Sequence, residues 1–272
     1  MMSSILITIV GIYLAILVLM YVAQRHLMYQ PGKALPPVGQ TLIPDAIAET
    51  KTTIDGLALI SWYLPPADGM PVIVYFQGNA ATIADRDYKA APWHKTGYGV
   101  WLVGYRGFGG NPGSPTEDGL YTDARTALAV LGGRGIGPNR VILYGESLGT
   151  GVAIHMAKEL ADQGTPARGV ILEAPFTAMG DAAQDHYPFL PARWLVKDAY
   201  DSLTKISSIK APLMIVHGDR DRVVRQEHGR RLFAAAQRPK TALWIKGAAH
   251  NNLYDFDAGK QIARFLESLN QH

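Results

Sequence analysis

The 272-residue chain has no cysteine. That absence excludes a disulfide framework, a thiolate nucleophile and any metal site built on thiolates. Charge is also sparse. Asp, Glu, Lys and Arg make up 18% of the residues, and 26 basic against 23 acidic side chains leave a net charge of +3. Those charges are mixed along the chain. The one basic cluster, Arg225, Arg230 and Arg231, is interrupted by acidic and uncharged neighbours. A nucleic-acid partner, which calls for basic residues concentrated on one element, is therefore excluded. The sequence has no internal repeat and no low-complexity tract.

Apolar residues are plentiful, at 48% of the chain, and the longest run comes first. Ile5 to Ala23 is interrupted only by Thr8, Gly11, Tyr13 and Tyr21, and the first charged side chain is Arg25. At 1.5 Å per residue this run forms a helix of roughly 28 Å, about the thickness of a bilayer's hydrocarbon core. A cleaved signal would carry basic residues ahead of a shorter run and small residues at its end. Here no Lys or Arg precedes it, and Met20, Tyr21 and Val22 close it. Residues 1–24 are thus expected to be a single-pass membrane anchor. Tyr21, Arg25, His26 and Tyr29 fall at interface depth. Arg25 and Lys33 follow the span, so the positive-inside rule weakly favours a cytoplasmic catalytic domain. Residues 25–41, rich in proline between Gln30 and Thr41, are the expected linker, and residues 42–272 the soluble domain.

In that domain, strands are expected at Ile47–Thr53 and Leu57–Leu64, joined by an Asp55-Gly56 turn. Further strands follow at Pro71–Phe76, Val100–Tyr105, Arg140–Tyr144, Gly169–Glu173, Leu213–His217 and Thr241–Ile245. Helical patterns lie near Ile83–Lys95, Glu117–Leu131, Leu148–Leu160, Gln226–Ala236 and Leu253–Leu269. Strands such as Val72-Ile73-Val74-Tyr75-Phe76 are apolar without alternation. Such strands, separated by helices, predict an α/β fold with a mainly parallel sheet covered on both faces. Ligands in such sheets bind beyond the carboxyl ends of the strands.

At one of those ends stands Gly145-Glu146-Ser147-Leu148-Gly149, between a buried-type strand and a helix. This is the context of a nucleophile elbow in the α/β-hydrolase fold. The helix N-terminus supplies N–H donors where an oxyanion develops. A serine nucleophile needs a base and an acid, which follow it in that order Ser, Asp, His. Asp219 and Asp221 both follow the Leu213–His217 strand, and the residues alone do not choose between them. His250, in a loop of small residues after the last strand, is the expected base. His186, in the irregular region, is its rival. His217 is read as buried support and His228 as a residue of a surface helix; His26 and His272 lie near the termini. The amides of Leu148 and Asn79, the latter in Gln77-Gly78-Asn79-Ala80, are the expected oxyanion donors.

The loop Tyr105–Gly113 lacks the lysine of a nucleotide loop and the spacing of a dinucleotide fingerprint. It reads as a packed turn with Arg106 as an ion-pair donor. No cofactor and no metal are expected. Between about 178 and 208, aromatics and prolines around Tyr187–Leu195 fit either a small cap over the pocket or a crossover helix.

Taken together, Phe76–Ala80, Tyr105–Gly109, Gly145–Gly149, Pro175-Phe176-Thr177, His217–Asp221 and His250–Tyr254 resemble the single-span α/β-hydrolase-domain proteins related to the bud-emergence suppressor family. The similarity spans most of residues 30 to 268. It implies Ser147 as nucleophile, Asp221 rather than Asp219 as acid, and His250 as base. It also implies an N-terminal anchor, but no substrate. Gln77 stands where that family usually has histidine, and Arg225 where it has proline. The chemistry expected is hydrolysis of a carboxylic ester or thioester through an acyl-enzyme, with a lipid or an acylated protein as substrate. A peptidase using the same triad, or a silent membrane-bound interaction module, are the alternatives.

Overall fold

The computed structural model describes residues 2–270; Met1, Gln271 and His272, at the ends of the expected anchor and domain, lie outside them. The first helix, α1 (Met2–Met28), has no buried residue and is long and apolar enough to cross a membrane. It continues beyond Ala23 into the segment expected as linker, because the first ring that blocks a helix is that of Pro31. Two residues, β1 (Gln30–Pro31), then pair in parallel with β5 (Ala80–Ala81).

The main sheet has eight strands: β2 (Ile47–Thr52), β3 (Ala58–Leu64), β4 (Val72–Phe76), β6 (Gly99–Leu102), β7 (Val141–Glu146), β8 (Gly169–Glu173), β9 (Leu213–Gly218) and β10 (Lys240–Ile245). Their order is β10-β9-β8-β7-β4-β6-β3-β2. From β6 to β10 all neighbours are parallel, whereas β2 and β3 are antiparallel. The sheet is therefore mixed, its β2–β3 hairpin turning at Thr53–Gly56, where the Gly56 N–H donates to Thr53 O.

Strand β4 shows how the two faces are filled. Val72, Val74 and Phe76 join one core with Leu120, Leu131, Val152 and Met156 of α3 (Glu117–Gly133) and α4 (Leu148–Asp162). Ile73 and Tyr75 point the other way, to Trp93 of α2 (Asp87–Lys95) and Ile262 and Leu266 of α8 (Ala258–Leu269). Each such side chain, fully buried, contributes about 1.5–3 kcal/mol. Helix α7 (Gln226–Ala235) covers the β9 side of the first core. Two of the expected helical patterns begin with a tighter turn: 3₁₀ segments at Ile83–Arg86 and Leu253–Phe256 precede α2 and α8.

After β8, α5 (Met179–His186) and α6 (Ala192–Leu195) form a small antechamber beside α1, with Phe189 and Trp194 turned outward. The loop Tyr105–Gly113 is packed as expected. Arg106 forks onto buried Asp123, with Nε and Nη2 at 2.9 and 2.8 Å from Oδ1, and reaches Asp55 Oδ2 at 2.7 Å.

Candidate active site

Strand β7 ends one residue before Ser147, and α4 begins one residue after it. The chain turns there so sharply that Ser147 adopts φ 50°, ψ −116°. Such a conformation costs a non-glycine residue about 1–3 kcal/mol and persists only where neighbours enforce it. The Ser147 N–H donates to Glu173 O at 2.8 Å, and Ser147 O accepts from Thr150 N–H at 2.9 Å and Thr150 Oγ1 at 2.6 Å. The flanking glycines are required by space. A Cβ on Gly149 would sit 2.0 Å from Phe76 O, and one on Gly145 would sit 2.5 Å from Gly149 O.

Two loops beyond β9 and β10 converge on this turn. His250 Nε2 lies 3.0 Å from Ser147 Oγ, and His250 Nδ1 lies 2.6 Å from Asp221 Oδ2. A carboxylate only accepts, so Nδ1 carries the proton and Nε2 is free to accept the serine's. Asp221 Oδ1 accepts from Val223 and Val224 N–H, both at 2.8 Å. Burial acts to raise the Asp221 carboxyl, but hydrogen bonds from His217 and His250 outweigh it and hold the group well below the usual carboxylate range. Asp219 does other work: its Oδ1 accepts from Gly247 N–H at 2.7 Å and ties the two loops together.

His217 is fully buried and donates from Nε2 to Val224 O at 2.8 Å, with Asp221 Oδ2 3.3 Å away. His186 spends its Nε2 on Val223 O at 2.8 Å. His228 lies inside, not on the surface: its helix turns a polar face to Asp185, 3.1 Å from Nε2, and to Thr177 Oγ1, 2.8 Å from Nδ1.

Leu148 opens α4, where a main-chain N–H has no carbonyl one turn earlier to bond. Asn79 accepts from Gln30 N–H and donates from Nδ2 to Met28 O at 2.7 Å, while no hydrogen bond engages its own N–H among the described residues. Both line one cavity with Ser147. Gln77, just before this loop, is fully buried, and neither atom of its side-chain amide has a protein partner.

Under the elbow lies a cluster that inspection of the sequence does not reveal. Lys89 Nζ is 2.8 Å from Glu146 Oε2 and 2.8 Å from Glu173 Oε2, and Arg86 Nη2 is 2.7 Å from Glu146 Oε1. Tyr75 bonds Glu146, and Tyr144 donates to Glu173 at 2.5 Å. Burial acts to raise the Glu146 carboxyl, yet Lys89 and Arg86 hold it below its ordinary value. Burial likewise acts to lower the Lys89 ammonium, and Glu173 and Glu146 keep it well above its ordinary value. Among the described residues no group of three or more His, Asp or Glu side chains is arranged to hold a metal ion.

Residues 70–205 and 192–257 match the family described as serine aminopeptidase, S33. The chain belongs to this family of α/β-hydrolases. An uncharacterized protein of Mycobacterium tuberculosis is 37% identical over 235 residues, covering 84% of this chain and 81% of that one. The lysophosphatidylserine lipase ABHD12 of Danio rerio is 35% identical over 187 residues, 63% of this chain and 48% of its own. An esterase of Pyrococcus furiosus superposes with a TM-score of 0.70 over 89% of this chain and 98% of its own; at 18% identity that likeness concerns the fold. This α/β-hydrolase is thus a serine hydrolase with one apolar N-terminal helix.

Proposed function

We propose that the chain hydrolyses carboxylic esters or thioesters at a membrane, with Ser147 as nucleophile, His250 as base and Asp221 as acid. The observation that carries this reading is the unbroken path Ser147 Oγ to His250 to Asp221, at 3.0 and 2.6 Å. Ser147 Oγ attacks the carbonyl carbon while its proton passes to His250 Nε2. The tetrahedral oxyanion is held by the N–H groups of Leu148 and Asn79. The carbon–oxygen or carbon–sulfur bond to the leaving group then breaks, and His250 returns the proton to the departing alcohol or thiol. Water, deprotonated by the same imidazole, attacks the acyl-enzyme and regenerates Ser147.

The substrate in this reading is a lipid or an acylated protein. Apolar lining around Ser147 supports it, as does the name of the zebrafish relative, a lysophosphatidylserine lipase. The family description favours a second reading, removal of an N-terminal amino acid from a peptide. Such a site must hold an α-ammonium group, which calls for a carboxylate. Among the described residues no Asp or Glu lines the cavity that contains Ser147, so the ester reading is preferred. Residues 1–24 then act as anchor, 25–41 as linker and 42–272 as hydrolase domain, with a cap at about 178–208. Arg25 and Lys33 after the span favour a cytoplasmic domain. The motif resemblance supports a kinship with the bud-emergence suppressor group. Turnover of p-nitrophenyl octanoate and of an aminoacyl p-nitroanilide by the detergent-solubilised protein separates the readings. Ester hydrolysis with negligible amide cleavage is expected, and preferred cleavage of the anilide would favour the peptidase.

A further inference from the structure

The cavity at Ser147, about 240 Å³, is not walled by the hydrolase domain alone. Leu17, Met20, Tyr21, Gln24, Leu27 and Met28 of α1 line one side of it. Their spacing of three, four and seven puts them on a single helix face. Met179, Ala183, Leu190 and Leu195 of the α5–α6 segment stand on the other side.

The helix is fastened there by contacts that a passive tether does not need. Arg25 forks onto buried Asp198, with Nε and Nη2 at 2.8 and 2.9 Å from its two oxygens. Tyr29 and Tyr200 share a hydroxyl–hydroxyl bond of 2.9 Å in the core. Gln24 donates to Leu195 O and accepts from Lys197 N–H, at 3.1 and 2.7 Å, and Tyr13 donates to Phe189 O at 2.9 Å. The end of α1 is also knitted to the loop that carries Asn79. Gln30 N–H donates to Asn79 O at 2.8 Å, Asn79 Nδ2 donates to Met28 O at 2.7 Å, and Gly32 N–H donates to Ala81 O at 2.9 Å. Phe189 and Trp194, 87% and 83% exposed, extend the apolar surface of α1. A bilayer covers such side chains at its interface.

We propose that α1 is a working wall of the active site as well as an anchor, and that the acyl chain of the substrate lies along its Leu17–Met28 face. This rests on Ser147 being the nucleophile. The Asn79–Met28 bond puts the reacting carbonyl at the Met28 end and the chain terminus toward Leu17. Eleven residue steps of helix span about 16 Å. A saturated chain advancing roughly 1.3 Å per carbon, from C–C bonds of about 1.5 Å, fills that length with about 12 carbons. Leu17 and Met20 therefore set acyl-chain length.

The test uses the full-length protein in mixed micelles with p-nitrophenyl butyrate, octanoate, laurate and palmitate, beside the rate of labelling by a small fluorophosphonate. Met20→Trp is expected to lower kcat/KM on laurate at least about tenfold, since about two methylenes lose their apolar contact. Butyrate hydrolysis and labelling should fall far less than laurate hydrolysis, because a four-carbon chain starting at the Met28 end does not reach Met20. Val18→Trp, on a helix position that does not line the cavity, should resemble wild type on every substrate. Leu17→Ala, which removes volume at the far end, should shift preference from laurate toward palmitate, and it serves even if Met20→Trp does not fold. A chain-length profile unchanged in Leu17→Ala, or all esters slowed equally in a folded Met20→Trp, would overturn the proposal. Wild type that neither labels nor hydrolyses butyrate would instead sink the assignment of Ser147.

Discussion

Replacing Lys89 by Met removes one cation from between two buried carboxylates. Lys89 is 1% exposed and reaches both Glu146 and Glu173 at 2.8 Å. After the change Glu146 keeps Arg86, but among the described residues Glu173 keeps only the Tyr144 hydroxyl as side-chain partner. Removing one member of a buried ion pair costs about 3–5 kcal/mol, because the remaining charge stays desolvated. A protein of this size then unfolds on the order of 10 °C lower. The double variant Lys89→Met/Glu173→Gln removes the stranded charge and should recover most of that loss. The effect extends to the site, because Glu146 precedes Ser147 and Glu173 O accepts its N–H. The single variant should therefore label more slowly with a fluorophosphonate, and the double variant less so. Thermal unfolding in detergent, followed by circular dichroism, reads the first effect. Equal stability of Lys89→Met and wild type, or a double variant no better than the single one, would mean that Lys89 does not neutralise Glu173.

Gln77→Met should leave stability unchanged or raise it by up to about 1 kcal/mol in urea unfolding, because it removes a fully buried amide without a protein partner while keeping shape. A loss above about 2 kcal/mol would mean that the amide is satisfied. Stability should also fall in acid. Asp221 and Glu146 have carboxyl groups held below their ordinary values, so they favour the folded chain above the unfolded values of about 4 and lose that contribution as pH falls through the folded ones. Urea midpoints flat from pH 7 to about pH 5 and dropping below about pH 4 are expected; a midpoint that rises on acidification would contradict the linkage. Gly149→Ala should abolish labelling, since its Cβ would meet Phe76 O at 2.0 Å and force the elbow open.

Much of this could be read from the residues, because the signals were local. Gly145–Gly149 sits between a continuous apolar strand and a helical repeat, and both glycines are sterically demanded there. The antiparallel β2–β3 hairpin is announced by Asp55-Gly56. Other features depend on distant partners. Asp219 and Asp221 are equivalent as neighbours in a turn, and only the position of His250 and of Gly247 N–H separates them. Lys89 lies 57 and 84 residues from its two carboxylates. The available signal was that Glu146 and Glu173 each end a buried strand and so require a cation. His228 is buried because its polar face meets Asp185 and Thr177, a partner choice that helical periodicity does not encode. The pairing of β1 with β5 is only two residues long, too short to leave a pattern, yet it joins the apolar N-terminal helix to the Asn79 loop.

The role of Ser147 as nucleophile is tested most directly by fluorophosphonate labelling of the full-length, detergent-solubilised protein, followed by peptide mass spectrometry. A single adduct on Ser147 is expected in wild type, none in Ser147→Ala, and labelling slowed by orders of magnitude in His250→Ala. An adduct on another serine, or labelling that persists in Ser147→Ala, would contradict it.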